Sequence, residues 1–396
     1  MVITSGNTYW NNINKNFKRY PSLNQNINCD VVIVGGGITG CLTLYYLSQF
    51  NINAVLIEKN IIGNGSTSAS TGLLRYETDM DLHSLINKIG EKKAVRVYKL
   101  CQKAIDDIEN IIYNVKQLCD FERKDSLYLC SSQGNVSKMR KEYRTRKEQG
   151  FKVSFLEKSD IESLFSFTSP CGIYSYDCGQ FDPLLFSHSL LKNSQRDNSK
   201  IYENTSVYSF DYFKNSVRVN LDNGSYINCK KIVMAAGYSS VKYLDMENKV
   251  NLSRSHSIVT NRLKSFNGWS KKCSIRKGCS PYTYIRSTID NRVLIDGLNE
   301  PFGEDFIIDA KSNILLDKLN SMFPQLPNPK IEYSWSEIFT DIKNGFGFIG
   351  KHPKYPNTYM NFGFGSNGTT FSVIGAQIIK DLILYDNNPD ADIFQM

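Results

Sequence analysis

Gly35, Gly37 and Gly40 stand in a Gly-x-Gly-x-x-Gly spacing, directly after the apolar run Val31 to Val34 and before a helical pattern from Cys41 to Phe50. Residues of this type at this spacing can hold a pyrophosphate. Gly35 permits the tight turn, Gly37 lets the backbone approach the phosphates, and Gly40 allows close helix–strand packing. The helix that follows, entered through Ile38 and Thr39, offers unpaired N–H groups at its N-terminus. A second apolar strand ends in Glu58-Lys59, 18 residues beyond Gly40 for Glu58, where a carboxylate can accept from ribose hydroxyls. The glycine spacing alone is a weak signal. Strand, turn, helix, strand and acid in this order predict a bound dinucleotide.

Residues 31 to 57 carry no charged side chain, as a membrane span would. Three consecutive glycines, followed by Ser48, Gln49, Asn51 and Asn53, argue against a bilayer. A buried parallel strand with its crossover helix has the same charge-free look, so no transmembrane segment is expected.

The surrounding elements must position this turn. At 396 residues and 41% hydrophobic content, the chain has the length for two or three compact units. Residues 1 to 28 read as a polar, Asn-rich irregular arm anchored by Tyr9-Trp10 and Pro21, without the apolar segment of a cleavable signal. A small-residue loop, Gly63 to Gly72, follows the first βαβ unit. Helical patterns cover 92 to 118 and the stretch up to Gly150, with a strand near 126 to 130 between them. Ser159-Asp-Ile-Glu162 reads as a capping box. From Ile201 to Gly237 the period changes to two, with an Asn223-Gly224 turn, as in a β-meander. Later come a hairpin at Asp290-Asn291, a helix near 309 to 322, strands at 331 to 339 and 358 to 363, and a helix from Thr369 to about Tyr385. The expected division is a discontinuous nucleotide-binding domain, 29–90, 151–245 and 331–396, with a substrate domain of 91–150 and 246–330 inserted into it.

Composition excludes several functions. The ten cysteines form no CxxC pair, and neither they nor the four scattered histidines have a metal-like spacing, so no metal is expected. Most of the cysteines sit among apolar neighbours and read as reduced core residues, which points to a cytoplasmic protein. A net charge of +8 is modest for this length. Its densest run, Lys138 to Lys147, is interleaved with Glu142 on a helical pattern, a solvated face rather than a nucleic-acid surface.

Two later segments separate the dinucleotides. Ile232-Val-Met-Ala-Ala236-Gly237 is an apolar strand ending in small residues, as needed where a second backbone segment passes a cofactor. Gly363-Phe-Gly365-Ser-Asn367-Gly368-Thr369-Thr370 leads into an amphipathic helix, whose N-terminus brings partial positive charge to a pocket. A flavin's pyrimidine ring gains negative charge on reduction, so the expected cofactor is FAD.

In this order, the chain resembles the D-amino-acid-oxidase-like FAD-dependent oxidoreductases, which include glycine oxidase, sarcosine oxidase and γ-glutamylputrescine oxidase. The resemblance runs through Gly35–Glu58, Ser66-Thr-Ser-Ala-Ser-Thr-Gly-Leu-Leu74, Gly179-Gln-Phe-Asp-Pro183, Thr205-Ser-Val207, Ala235-Ala-Gly237, Tyr284-Ile-Arg286, Trp335, Gly347-Phe-Ile-Gly350 and Gly363–Thr370. It implies an α/β fold: a Rossmann-like FAD-binding domain with an inserted α+β substrate domain on an antiparallel sheet. It also implies that Ser66, Thr67 and Ser68 line the pyrophosphate and flavin, that Val207 touches the adenine through its backbone, and that Gly365 to Thr370 cradle the isoalloxazine.

Two departures narrow the expected activity. Glycine oxidases and D-amino acid oxidases carry an arginine shortly after the strand tryptophan, which forks onto the substrate carboxylate. Here the stretch reads Trp335-Ser-Glu337-Ile-Phe339, with Phe339 in the arginine's place; Arg75 or Arg286 would have to replace it. Sarcosine-oxidase-like members link the flavin to a C-terminal cysteine. No cysteine follows Cys279, so FAD is expected to be non-covalent. Arg75, Tyr284, Arg286, Glu337 and Phe339 are the candidate catalytic residues, Tyr282 a further wall residue, and His256 a candidate to face the flavin. Glu337, on the same strand face as Phe339, could attract a second cationic group such as that of a polyamine. The expected activity is oxidation of a C–N bond in a small amine or amino acid: hydride passes to flavin N5, the imine hydrolyses, and oxygen or an electron carrier reoxidises the flavin. A D-amino acid dehydrogenase passing electrons to a quinone or carrier, and a non-catalytic flavin-bearing subunit of a redox assembly, are the alternatives.

Overall fold

The computed structural model describes residues 4–195, 198–278, 282–302, 308–342 and 345–394. Its strands form two sheets. The eight-stranded sheet runs, by neighbours, Phe348–Lys351, Thr358–Phe362, Tyr226–Met234, Ile27–Val34, Ala54–Ile57 and Ser199–Tyr202, with Val207–Tyr212 and Val217–Leu221 completing a meander on Tyr226–Met234. Its central strands are parallel, with Val32 opposite both Val55 and Ile232. Val31 and Ile33 pack into one apolar cluster, with helices Ile38–Ser48, Glu91–Val115, Pro183–Ser194 and Gly368–Tyr385. Val32 and Val34 pack into another, under the meander. A strand buried on both faces has no polar side to show, which is why 31 to 57 read as charge-free.

The ten-stranded sheet runs Thr4–Gly6, Ile331–Ile342, Val250–Thr260, Val293–Pro301, Thr283–Ser287, Ser274–Lys277, Glu122–Leu129, Cys171–Gln180 and Leu73–Leu74, with Val153–Glu157 also on Cys171–Gln180. Ile258, Ile285, Val293 and Ile295 face a core shared with Leu315 and Leu319 of helix Ile308–Met322. The opposite face changes character along the strands. Val259, Leu294 and Trp335 pack with Tyr9, Trp10 and Ala69; two residues further along each strand stand Ser257, Asp296 and Glu337. The period-two pattern thus leads from an apolar seam into a polar wall. Strands Val153–Glu157, Cys171–Gln180 and Ile331–Ile342, which the sequence division groups with the nucleotide-binding segments, bond into this larger sheet.

Two local expectations change. The helix near residue 160 spans Lys158–Leu164, and its capping box pairs Glu157 with Asp160, two residues earlier than Ser159 and Glu162. Carboxylates at both positions satisfy the first-turn amides as a hydroxyl–carboxylate pair would. The N-terminal arm is not wholly irregular: Thr4–Gly6 pairs with Trp335 to Glu337 along the sheet edge, and Tyr9–Ile13 is a short helix. Trp10 and Trp335 donate their indole N–H groups to Ser70 O and Ala69 O, at 2.7 and 2.9 Å, pinning the loop after Ser66 from two sides.

Candidate functional site

Two helix N-termini, those of Ile38–Ser48 and Gly368–Tyr385, meet over a cavity of about 510 Å³ that lies between the sheets. Their first turns are tied together. Thr39 Oγ1 lies 2.7 Å from Ser372 Oγ, and Ser372 Oγ donates to Gly368 O at 2.6 Å.

The glycine turn builds one end. Gly35 has φ +114°, and a Cβ there would lie 2.6 Å from Ala235 O, so no other residue fits. A Cβ on Gly40 would run into Gly35 O, so that glycine serves packing and lies off the cavity wall. Gly37 differs: a Cβ there would meet only Thr67 Oγ1, at 3.3 Å. Thr67 Oγ1 in turn accepts from the Ile38 N–H at 2.9 Å. The space beyond Gly37 is cavity, the arrangement a pyrophosphate needs.

Glu58 faces the cavity with both oxygens engaged. Oε2 accepts from the Gly36 N–H at 2.7 Å and Oε1 from the Asn60 N–H at 2.9 Å. Burial raises its carboxyl above the ordinary range, against the pull of these two amides. Two further lone pairs stay available for ribose hydroxyls. Lys59, Ser66, Ala236, Gly237, Gly365 and Thr369 also line the cavity. Val207 lines it too, with its carbonyl accepting from Tyr243 Oη at 3.0 Å. Ser68, Asn367 and Thr370 lie behind the wall and hold its shape: Ser68 Oγ donates to Gly65 O, Asn367 Nδ2 to Glu77 O, and Thr370 Oγ1 to Asn367 O.

At the large-sheet end, Arg75, Tyr284, Glu337 and Phe339 come together on the wall. The Arg75 guanidinium stacks 4.8 Å from the Tyr284 ring centre. Its Nη2 donates to Ser366 Oγ at 3.3 Å and approaches Asp79 Oδ1 at 4.0 Å, while Nη1 is buried without a hydrogen bond. Arg286 is not among the lining residues. It lies 5.2 Å from the Trp10 ring centre, where burial lowers its pKa to about 10. Tyr282 stacks on Arg276, and His256 Nε2 lies 3.1 Å from Glu300 Oε1; neither lines the cavity.

Asp296, Asn299 and Ser255 are wall residues that the sequence reading missed. Ser255 pairs with Glu337 and Ser257 with Asp296 across adjacent strands. Ser257 Oγ donates to Asp296 Oδ1 at 2.7 Å. Burial pushes the Asp296 carboxyl up to about 6, opposed by hydrogen bonds from Ser257, Ser255 and the Gly297 backbone. Glu337 keeps surface only partly covered because it faces the cavity, yet burial first and the Asp296 carboxyl second drive it well above the carboxylate range. The available signal was an aspartate within Val293-Leu-Ile-Asp-Gly, an acid where an apolar strand should continue.

Residues 30–382 match the model of a family described as FAD dependent oxidoreductase. The chain belongs to that family. It is 24% identical over 397 residues to a Bacillus subtilis protein named "Putative Rieske 2Fe-2S iron-sulfur protein YhfW", covering 98% of this chain and 74% of that one. It is 22% identical to the gamma-glutamylputrescine oxidoreductase of Escherichia coli, over 93% of this chain and 86% of the relative. The crystal structure of glycine oxidase from Geobacillus kaustophilus superimposes with a TM-score of 0.79 at 18% identity, over 91% of this chain and 96% of that one. Family membership makes the chain an FAD-dependent oxidoreductase, with the Rossmann-like fold seen here. No helix among the described residues is long and apolar enough to cross a membrane, and no metal-competent cluster occurs among them.

Proposed function

We propose that this flavoprotein oxidises the C–N bond of a small amine in preference to a free α-amino acid. The observation that carries the reading is the cavity wall: Phe339 and the two carboxyls Glu337 and Asp296 occupy it together. By the family resemblance, Phe339 stands where amino acid oxidases place the carboxylate-binding arginine. An acidic wall repels a substrate carboxylate and attracts an ammonium.

FAD, when bound, supplies the two-electron acceptor for hydride from the carbon bearing the nitrogen. The chain's own residues do the rest. Gly37, Thr67 and Glu58 fix the nucleotide, and the N-terminal turn of Gly368–Tyr385 presents partial positive charge to the pocket. Phe339 and Tyr284 wall off water and orient the substrate, and the product imine leaves to hydrolyse. No cysteine or histidine lines the cavity among the described residues, which supports non-covalent attachment.

The test compares kcat/KM for a D-amino acid and its decarboxylated amine, on the native protein and on Phe339→Arg. The amine should win on the native protein, and the variant should move preference toward the amino acid by several-fold or more. A native preference for the amino acid of roughly tenfold, about 1.4 kcal/mol, would place the carboxylate on Arg75 and overturn the amine reading. A carrier rather than oxygen as electron acceptor is the second reading, supported by the relative named as an iron–sulfur protein. Flavin bleached by substrate without oxygen, and failing to recover when air is admitted, would establish it.

A further inference from the structure

The acidic wall has more acceptors than an oxidised amine requires. Glu337, Ser255 and Asp296 come from three adjacent strands, Ile331–Ile342, Val250–Thr260 and Val293–Pro301, and Asn299 follows Asp296 on the third. We propose that Glu337, Asp296 and Asn299 form a subsite for a second ammonium, so that the substrate is a diamine or polyamine held by one nitrogen while the other is oxidised. This rests on the amine reading above and narrows it.

Three observations support the assignment. Glu337 feels only burial and the Asp296 carboxyl; no hydrogen bond from the described residues holds it. Asn299 is among the residues that line the cavity, and its Oδ1 is buried without a partner. A buried acceptor left without a donor is costly, and an ammonium brings three donors. The charge also fits. Burial raises both the Asp296 and the Glu337 carboxyls, and an ammonium placed between them would favour their ionised forms. The other charged group on this part of the wall, Arg75, lies against Tyr284, Ser366 and Asp79, so its charge is already opposed.

The experiment uses the FAD-loaded protein and α,ω-diamines of graded length, each paired with the monoalkylamine of the same length. Perturbation of the flavin absorption without oxygen reports binding, and bleaching reports oxidation. The best diamine should bind at least about tenfold more tightly than its monoamine, and Glu337→Gln and Asp296→Asn should each bring that ratio toward one. Flavin content and far-ultraviolet circular dichroism confirm that the variants fold. Equal binding of diamine and monoamine, a preference kept by both variants, or no perturbation by any diamine would overturn the subsite. Monoamines that bleach without any diamine preference would remove the subsite and leave the amine activity standing. Diamines that bind tightly, depend on Glu337 and Asp296, and never bleach would keep the subsite and sink the oxidation reading.

Discussion

Replacing Glu58 separates two roles that a single alanine variant would confuse. Its carboxylate accepts from the Gly36 and Asn60 amides before any cofactor arrives. Glu58→Ala strips both acceptors. Asn60 is exposed and its N–H can turn to water, but the Gly36 N–H is part of the tight glycine turn, and leaving it unpaired costs roughly 1–3 kcal/mol. That should lower the apoprotein's melting temperature by about 2–4 °C per kcal/mol for a chain of this size. Ribose contacts are a second loss. Hydrogen bonds to a charged group are worth about 1.5–3 kcal/mol, so FAD affinity should fall by roughly 10- to 150-fold. Glu58→Gln keeps an oxygen for the Gly36 N–H while removing the charge, so it should hold most of the apoprotein stability and still lose flavin affinity. The assays are thermal melting of the flavin-free protein and titration of its intrinsic fluorescence with FAD. A glutamine variant that binds FAD as tightly as the native protein would show that Glu58 only secures the Gly36 turn.

Gly37→Ala should fold, because its Cβ meets only Thr67 Oγ1, yet purify without flavin; Gly40→Ala should lose stability before cofactor is considered, since its Cβ collides with Gly35 O. The ratio of flavin to protein absorbance and a melting curve distinguish them, and a yellow Gly37→Ala protein would contradict the pyrophosphate assignment. Acid precipitation should release FAD to the supernatant; colour retained in the pellet would mean a covalent link. Asp296 gives a signed pH effect. Its folded value near 6 exceeds the ordinary 3.8, so the folded chain binds the extra proton and the stabilisation is full below the lower value and lost as pH rises through the upper. At 1.36 kcal/mol per unit this is on the order of 3 kcal/mol, and urea unfolding of apoprotein across that window should show a slope that Asp296→Asn flattens. Equal slopes in the two proteins would mean that Asp296 titrates normally.

The nucleotide half was legible because its residues answer to local rules. A tight turn needs Gly35, close helix packing needs Gly40, and a strand buried on both faces needs an unbroken run such as Val31 to Val34. These requirements are written in consecutive residues. The meander and the Asp290-Asn291 hairpin were legible for the same reason, since turn chemistry and period two are both short-range. The N-terminal strand was not, because Thr4–Gly6 is extended only by virtue of the edge offered by Trp335 to Glu337, more than 300 residues away. Arg286 illustrates the limit at the site itself. It shares a strand face with Tyr284, as the sequence shows, but the two-residue step carries it from the cavity to the ring of Trp10. Nothing within its own strand says where the wall ends.

That same step explains how specificity can change without disturbing the fold. On the face of the large sheet that meets the cavity, Val259, Leu294 and Trp335 fill the seam that holds the loop after Ser66, and these positions are packed. Two residues further along their strands, Glu337 and Asp296 line the cavity, while Ser257 on the strand between them is buried and donates to Asp296. Glu337 and Asp296 stand at this border. They are enclosed enough for burial to raise both carboxyls, yet lie on a wall that a ligand could cover. A cation arriving there would favour ionisation of both groups, the opposite of what burial does in its absence. The preference for a cationic substrate would then appear as proton release on binding, which calorimetry in buffers of different ionisation enthalpy can count. Proton release on diamine binding near neutral pH, smaller in Glu337→Gln, is the expected result; equal release by the native protein and the variant would mean that no cation meets Glu337.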